Sequence, residues 1–287
     1  DRAYCKRGGF LDAHSFDCRR FGVPPNLLKS TDTSQLLALC LAEAVLEDAA
    51  RGPWENLDRS KCSVILGATG TSELVVHMGS RLQHPIWMRA LAKRGIVGAE
   101  ADAVCKEILD LHVPWTEATF PGLLGNVVAG RIANRFDLGG TNCVADAACA
   151  SSHSALSMGL MELASGSSDL VITGGVDTLN DVLMYMCFSK TPALSPTGDC
   201  RPFSDRADGT VLGEGLAMVA LRRLADAEAA GDRIYAVIKG IGTSSDGRAT
   251  SVYAPRPEGQ AVALRRAYEA AGYSPDPVEL MEAHGTG

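Results

Sequence analysis

The stretch that decides the fold is "VADAACASSHSALSMGLMELASG", residues 144–166. A β-friendly lead-in passes into small residues, then one cysteine, Cys149, then a helix-length run with almost no charge. On a helical wheel over 150–165, Leu156, Met158, Leu160, Met161 and Leu163 cover most of the circumference, and Glu162 is the one charge. A helix apolar on every side is central in a large core. The stretch therefore predicts a strand over 141–147, a turn, and a buried helix over 150–165 that begins at Cys149.

The neighbouring segments extend this pattern. "TDTSQLLALCLAEAVLEDAARG" reads as an amphipathic helix, capped by Thr33 or Ser34 and stopped by Gly52 and Pro53. "CSVILGA" is a short buried strand. Helices are expected near 86–94 and 99–111, and another in "FPGLLGNVVAGRIANRFDLGG", with Pro121 in its first turn and Gly139-Gly140 after it. Small residues Gly125, Ala129, Gly130 and Ala133 permit close packing there. Strands are expected in "LVITGGVD", "LAMVAL" and "IYAVIKGIG", and a helix in "EGQAVALRRAYEAAG". Alternating strands and helices make an α/β protein. The polar link "ADAEAAGDR", 225–233, is the best internal boundary, dividing the chain into 1–231 and 232–287.

Cys149 at a strand-to-helix turn has chemical consequences. Unpaired N–H groups and the positive end of the helix dipole favour a thiolate, which is the nucleophilic form. The same N–H groups can hold an oxyanion when sulfur attacks a carbonyl. The competing reading is a small buried hydrophobe, the usual fate of a free cysteine. Cys143, in the strand, reads as core. A thiol nucleophile needs a basic or cationic partner. His284, after the strand-like "VELMEAH" and before a glycine turn, is one candidate; His153, one turn along the Cys149 helix, is its local rival. His14, His77, His84 and His112 read as surface.

Composition narrows the function classes. The 287 residues are 46% hydrophobic and 21% charged, a core-forming balance. A net charge of -7, with no block of like charges, argues against nucleic-acid binding. No apolar run approaches the roughly 20 residues that span a bilayer. Nine cysteines lie scattered without CxxC pairs, so neither a metal framework nor a disulfide scaffold is indicated, and a reducing cytoplasm is expected. "TGGVD" lacks the spacing and lysine of a phosphate loop. "GEG" at 213–215 shapes a turn, with Glu214 in a structural hydrogen bond; Arg201, Arg206 and Asp208 read as a loop-pinning ion-pair set; "SSDGR", 244–248, is a turn.

Taken together, the segments resemble the β-ketoacyl synthase domain of thiolase-like condensing enzymes. "VADAACASS" resembles the active-site cysteine motif, "CRPFSDRADGTVLGEGLAMVAL" the block that follows it, and "EAHGTG" the first catalytic histidine motif, in the family's order. "YCKRGGFL", "MYMCFSKTPALSPTGDCRPFS" and "IYAVIKGIGTSSDGR" resemble synthases of iterative type I systems, among them polyunsaturated fatty acid, heterocyst-glycolipid and enediyne polyketide synthases.

The resemblance implies a layered αβαβα fold of two related halves, and decarboxylative condensation of malonyl-carrier with an acyl chain on Cys149. It implies that the Cys149 N–H is one oxyanion donor and that His284 stabilises the developing enolate. It implies that Thr286 hydrogen-bonds the phosphopantetheine arm and that Leu124 and Phe188 line the acyl pocket, positions that ordinary core residues also fill. No cofactor is expected in the domain itself; the partners are an acyl carrier protein and a second copy of the chain. The chain starts at Asp1 rather than Met and stops at "EAHGTG". The family's second catalytic histidine, its lysine and a second oxyanion donor fall after that motif, so a fragment with little condensing activity alone is expected. Two alternatives stand beside this: a cysteine hydrolase of acyl-thioesters using Cys149 and His284, and a non-catalytic partner protein that only shapes a dimer pocket.

Overall fold

A computed structural model describes residues 2–251 and 254–286. The helices are α1 (Cys18–Phe21), α2 (Thr33–Ala50), α3 (Glu73–Gly79), α4 (His84–Ala92), α5 (Ala99–Asp110), α6 (Thr119–Leu123), α7 (Val127–Phe136), α8 (Ser151–Ser165), α9 (Val182–Lys190), α10 (Leu224–Ala230) and α11 (Pro257–Ala271). The strands are β1 (Cys62–Gly67), β2 (Asn142–Ala145), β3 (Leu170–Asp177) and β4 (Gly215–Leu221). The chain divides into a first unit, 1–221 with 286–287, and a second, 222–285.

The first unit is built on one sheet in the order β2-β1-β3-β4. β1 pairs parallel with β2 and with β3, and β4 returns antiparallel to β3. β1 is buried along its whole length, as expected of an inner parallel strand covered on both faces. Its one polar side chain, Ser63, is satisfied by a 2.6 Å hydrogen bond with Ser168.

Helices α2 and α7 cover one face. The buried residues of α2 are Gln35, Ala38, Leu39, Ala42, Glu43 and Leu46, a stripe at helical spacing. The apolar four, Ala38, Leu39, Ala42 and Leu46, pack with Val64, Leu66, Val128, Ile132, Phe136 and Ile172 in the larger core. Glu43 is tied to Arg20 at 2.6 Å. The α2 N-cap is Asp32, not the expected Thr33 or Ser34. Its Oδ1 accepts from the Ser34 N–H at 3.0 Å, and a carboxylate serves that role at least as well as a hydroxyl.

One expectation for 121–138 needs correction. Pro121 does sit in a first helical turn, that of α6, but the helix is interrupted before α7 starts at Val127. Gln35 braces this break. Its buried Nε2 donates to the carbonyls of Pro121 and Gly122, both at 3.0 Å, and of Leu124 at 3.1 Å. The break itself lies at Leu124, which turns extended at ψ 122° while its carbonyl also accepts from the Val127 N–H at 3.1 Å. Arg131 Nε donates to the Gln35 Oε1 at 2.9 Å and completes the group.

Helix α8 covers the other face of the sheet, and here too the expectation is modified. Only Ser151, Ala155, Gly159 and Leu163 are buried, a single stripe that packs with Ile65 and Val171. Leu156, Met158 and Leu160 are half-buried and Met161 is exposed. Among the described residues of this unit the sheet meets one side of α8, so burial stops at that side. Cys143 is half-buried against the same small cluster, and burial, with Glu162 adding to it, pushes its thiol pKa up.

In the second unit, residues 225–230 are not a polar link: they lie in α10. The segment 234–242, expected as a strand, forms none, and neither does 278–284. A strand exists by laddering with another, and among the described residues of this unit no strand lies beside either. Segment 234–242 instead lies against α11. A Cβ on Gly240 would fall 2.4 Å from the Ala267 carbonyl oxygen, and one on Gly242 2.0 Å from that of Ala263. Helix α11 matches its expected range closely.

Among the glycines of the sheet, the closest approach to a helix is at the end of β1. A Cβ built on Gly67 would lie 2.4 Å from the Ser151 carbonyl carbon and the Ser152 nitrogen. Both are backbone atoms that cannot swing aside. Gly67→Ala is therefore expected to destabilise the protein by about 1–3 kcal/mol. A urea-denaturation midpoint equal to that of the parent protein would contradict this packing.

Candidate active site

The loop between β2 and α8 carries the candidate nucleophile. β2 ends at Ala145, and five residues, 146–150, turn the chain into Ser151. Asp146 organises this loop: Oδ1 accepts from the Ala148 N–H and Oδ2 from the Gly70 N–H, each at 3.2 Å. The second bond ties the turn to the segment after β1. Ala148 adopts φ +50°, the left-handed region that side chains other than glycine rarely occupy. This sharp bend lifts the next residue out of the layer.

Cys149 is exposed, as are Asp146, Ala147, Ala148 and Ala150 around it. The reading of Cys149 as a buried apolar filler does not hold. Among the described residues its backbone N–H makes no hydrogen bond, whereas Ala150 N–H donates to the Ala147 carbonyl at 3.1 Å. Ala150 is the N-cap of α8 and offers no side-chain acceptor. The thiol thus stands beside an unclaimed donor at the positive end of a fifteen-residue helix. An electrophilic carbonyl attacked by this sulfur would place its developing negative charge near that donor.

The other expected site residues are placed as follows. Leu124 is half-buried at the C-cap of α6, its carbonyl held by Gln35. Phe188 is half-buried on α9. Thr286 belongs to the first unit and is exposed; its carbonyl accepts from Cys200 Sγ at 3.3 Å. His284 is exposed and belongs to the second unit. His153 is exposed on α8. His14 and His77 are exposed, while His84 and His112 are half-buried.

The loop 195–208 is pinned, but not by the expected trio. Arg201 pairs with Asp199 at 2.8 Å and lies 3.7 Å from Asp208. Ser195 and Thr197 donate to the two Asp208 oxygens at 2.6 and 2.8 Å. These donors, Ser195 first, hold the Asp208 carboxyl below its usual pKa. Among the described residues Arg206 contributes only its backbone N–H, to Ser204 Oγ at 3.1 Å; Asp199, shared with Arg7, takes the third place. Glu214 does make a structural hydrogen bond, accepting from the Leu11 N–H at 2.9 Å. Among the described residues no cluster of His, Cys, Asp and Glu could hold a metal ion.

Comparison with known proteins agrees with this arrangement. Residues 1–227 match the N-terminal domain of β-ketoacyl synthases. The chain belongs to the β-ketoacyl synthase family. Residues 235–287 match the C-terminal domain of the same family. The whole chain is 40% identical to a polyunsaturated fatty acid synthase polypeptide of Thraustochytrium, but spans only 10% of that protein. Over 281 residues it is 35% identical to a phenolphthiocerol/phthiocerol polyketide synthase polypeptide of Mycobacterium tuberculosis, covering 98% of this chain and 13% of the relative. The fold superposes on the oxazolomycin ketosynthase domain of Streptomyces albus with a TM-score of 0.77 at 29% identity, covering all of this chain and 44% of that one. The fold is thiolase-like, and this β-ketoacyl synthase chain spans under half of that solved ketosynthase.

Among the cysteines, Cys149, Cys187 and Cys200 are exposed, and Cys5, Cys62 and Cys105 are buried. Burial pushes the Cys62 thiol up to about 12. Brief iodoacetamide treatment of the native protein, followed by peptide mass mapping, is expected to label the three exposed thiols and spare the three buried ones. Label on Cys62 before Cys149 would contradict this placement.

Proposed function

We propose that this chain carries the nucleophile of a β-ketoacyl-carrier synthase that extends acyl chains by decarboxylative condensation. The observation that carries the reading is the exposed Cys149 thiol at the head of α8, beside its own unclaimed N–H. Membership of the β-ketoacyl synthase family supplies the reaction class.

In this mechanism the Cys149 thiolate attacks the carbonyl carbon of an acyl thioester. A new C–S bond forms, and the carbonyl π electrons move to oxygen, where the Cys149 N–H stabilises them. Collapse expels the phosphopantetheine thiolate of the carrier, which takes up a proton. A malonyl-carrier then loses CO2, and the electron pair left behind forms an enolate that His284 stabilises. The enolate carbon attacks the enzyme thioester and the Cys149 sulfur leaves. The product is a 3-oxoacyl chain two carbons longer. Thioester exchange suits a thiol, since sulfur serves as both nucleophile and leaving group.

Thr286 is assigned to the phosphopantetheine arm, and Leu124 and Phe188 to the acyl pocket. The domain needs no cofactor of its own, because both substrates travel on carrier phosphopantetheine. Its partner is an acyl carrier protein. The halves are divided at 231/232, within the segment 228–234 that separates the two family matches. Two such halves would complete the five-layered αβαβα arrangement. We also infer a homodimer: β2 stands at the sheet edge, and its outer side is available to a second copy. A cytoplasmic site agrees with nine cysteines scattered without CxxC pairs, and among the described residues no helix is long and apolar enough to cross a membrane.

The test uses the full-length protein with an acyl thioester and malonyl-carrier. The expected products are CO2 and a 3-oxoacyl-carrier, and Cys149→Ala is expected to lower acyl-enzyme formation by roughly a thousandfold or more. Release of free acid without any malonyl donor would favour the hydrolase, and no acylation of Cys149 would favour the non-catalytic partner.

A further inference from the structure

Ser151 is buried, with 8% of its surface exposed, yet it opens a helix directly beside an exposed turn. Its hydroxyl serves as both acceptor and donor. Oγ accepts from the Ala147 N–H at 2.8 Å and donates to the Ala148 carbonyl at 2.6 Å. The Ser151 N–H donates to that same carbonyl at 3.0 Å. One side chain therefore grips the peptides on both sides of the Ala147–Ala148 link from within the helix. Between those two attachment points and the helix lies Cys149.

The grip has two consequences. It holds Ala148 at φ +50°, a conformation that side chains other than glycine leave when nothing restrains them. It also satisfies the Ala147 N–H, while among the described residues the Cys149 N–H stays open. Ser151 itself cannot drift, because its backbone is pressed against Gly67 of β1. Asp146 restrains the far side of the turn through Ala148 and Gly70. Both bonds of the Ser151 hydroxyl are to the backbone of the turn, which leaves the thiol itself unencumbered.

We propose that Ser151 is a positioning residue for Cys149: its hydroxyl locks the Ala147–Ala148 turn so that the thiol and the Cys149 N–H face the incoming carbonyl together. The proposal rests on the ketosynthase reading, since it concerns the step in which Cys149 is acylated. It separates two properties of the thiol. Attack on a thioester needs sulfur and N–H aligned on one carbonyl, whereas alkylation by iodoacetamide needs only an accessible sulfur.

The experiment measures both reactions at Cys149 in the full-length protein, with an acyl thioester and with iodoacetamide. Ser151→Ala is expected to lower the maximal acylation rate roughly 10- to 100-fold with little change in half-saturation, because misplacing reacting groups acts on the chemical step. Iodoacetamide alkylation should change by less than about threefold, since no oxyanion forms. Adding Ala148→Gly to Ser151→Ala is expected to recover part of the acylation rate, because glycine takes a left-handed conformation without restraint. Ser151→Thr keeps the hydroxyl and is expected to stay within about threefold of the parent protein; it carries the test if the alanine variant does not fold. Acylation of Ser151→Ala within twofold of the parent, an equal fall in both reactions, or a folded Ser151→Thr that loses acylation would each overturn the proposal. Failure of the parent protein to acylate Cys149 would instead defeat the ketosynthase reading.

Discussion

The arrangement depends on one backbone contact, the approach of Gly67 at the end of β1 to Ser151 and Ser152 at the start of α8. It leaves no room for a side chain, so it fixes where the helix begins relative to the sheet. β2 pairs with β1 in parallel register, Gly67 opposite Ala145, so the strand entering the turn is fixed to the same point. Five residues must then join two anchored ends. A sharp bend with one left-handed residue is how the chain does it, and the residue after the bend is Cys149.

Chemistry follows from this constraint rather than from an unusual side chain. A cysteine in the middle of β2 would share the partial burial of Cys143, whose thiol is harder to ionise. Displaced onto the turn, Cys149 gains exposure together with an unbonded N–H and the head of a fifteen-residue helix. The Gln35 group and the Asp208 loop play supporting parts elsewhere. One holds the break at Leu124, and the other braces the segment that meets Thr286.

Much of this is legible in residue patterns. The buried β1, helices α2, α5, α8 and α11, and the turn at Cys149 all follow from hydrophobic period and small-residue punctuation. What escapes is the set of polar contacts between segments distant in the chain. Nothing local to "SQLLALC" says that Gln35 will grip carbonyls some ninety positions on and brace a break between two helices. Asp32 as the cap, and Asp199 in place of Arg206, escape because a hydroxyl or an arginine stands close by and satisfies the same local pattern. The apolar circumference of α8 is real as composition, but the first unit lays a sheet against only one side of it. Segment 234–242 has a strand's composition without a ladder beside it, and a strand is a property of the pair.

The central claim is that the turn holds sulfur and N–H so that both address one carbonyl. A crystal structure of the full-length protein, acylated by a thioester without a malonyl donor, tests it most directly. The account predicts the acyl group on Cys149 with its carbonyl oxygen about 2.7–3.1 Å from the Cys149 nitrogen. An acyl group on Cys187 or Cys200, or a thioester oxygen turned away from that N–H, would contradict it.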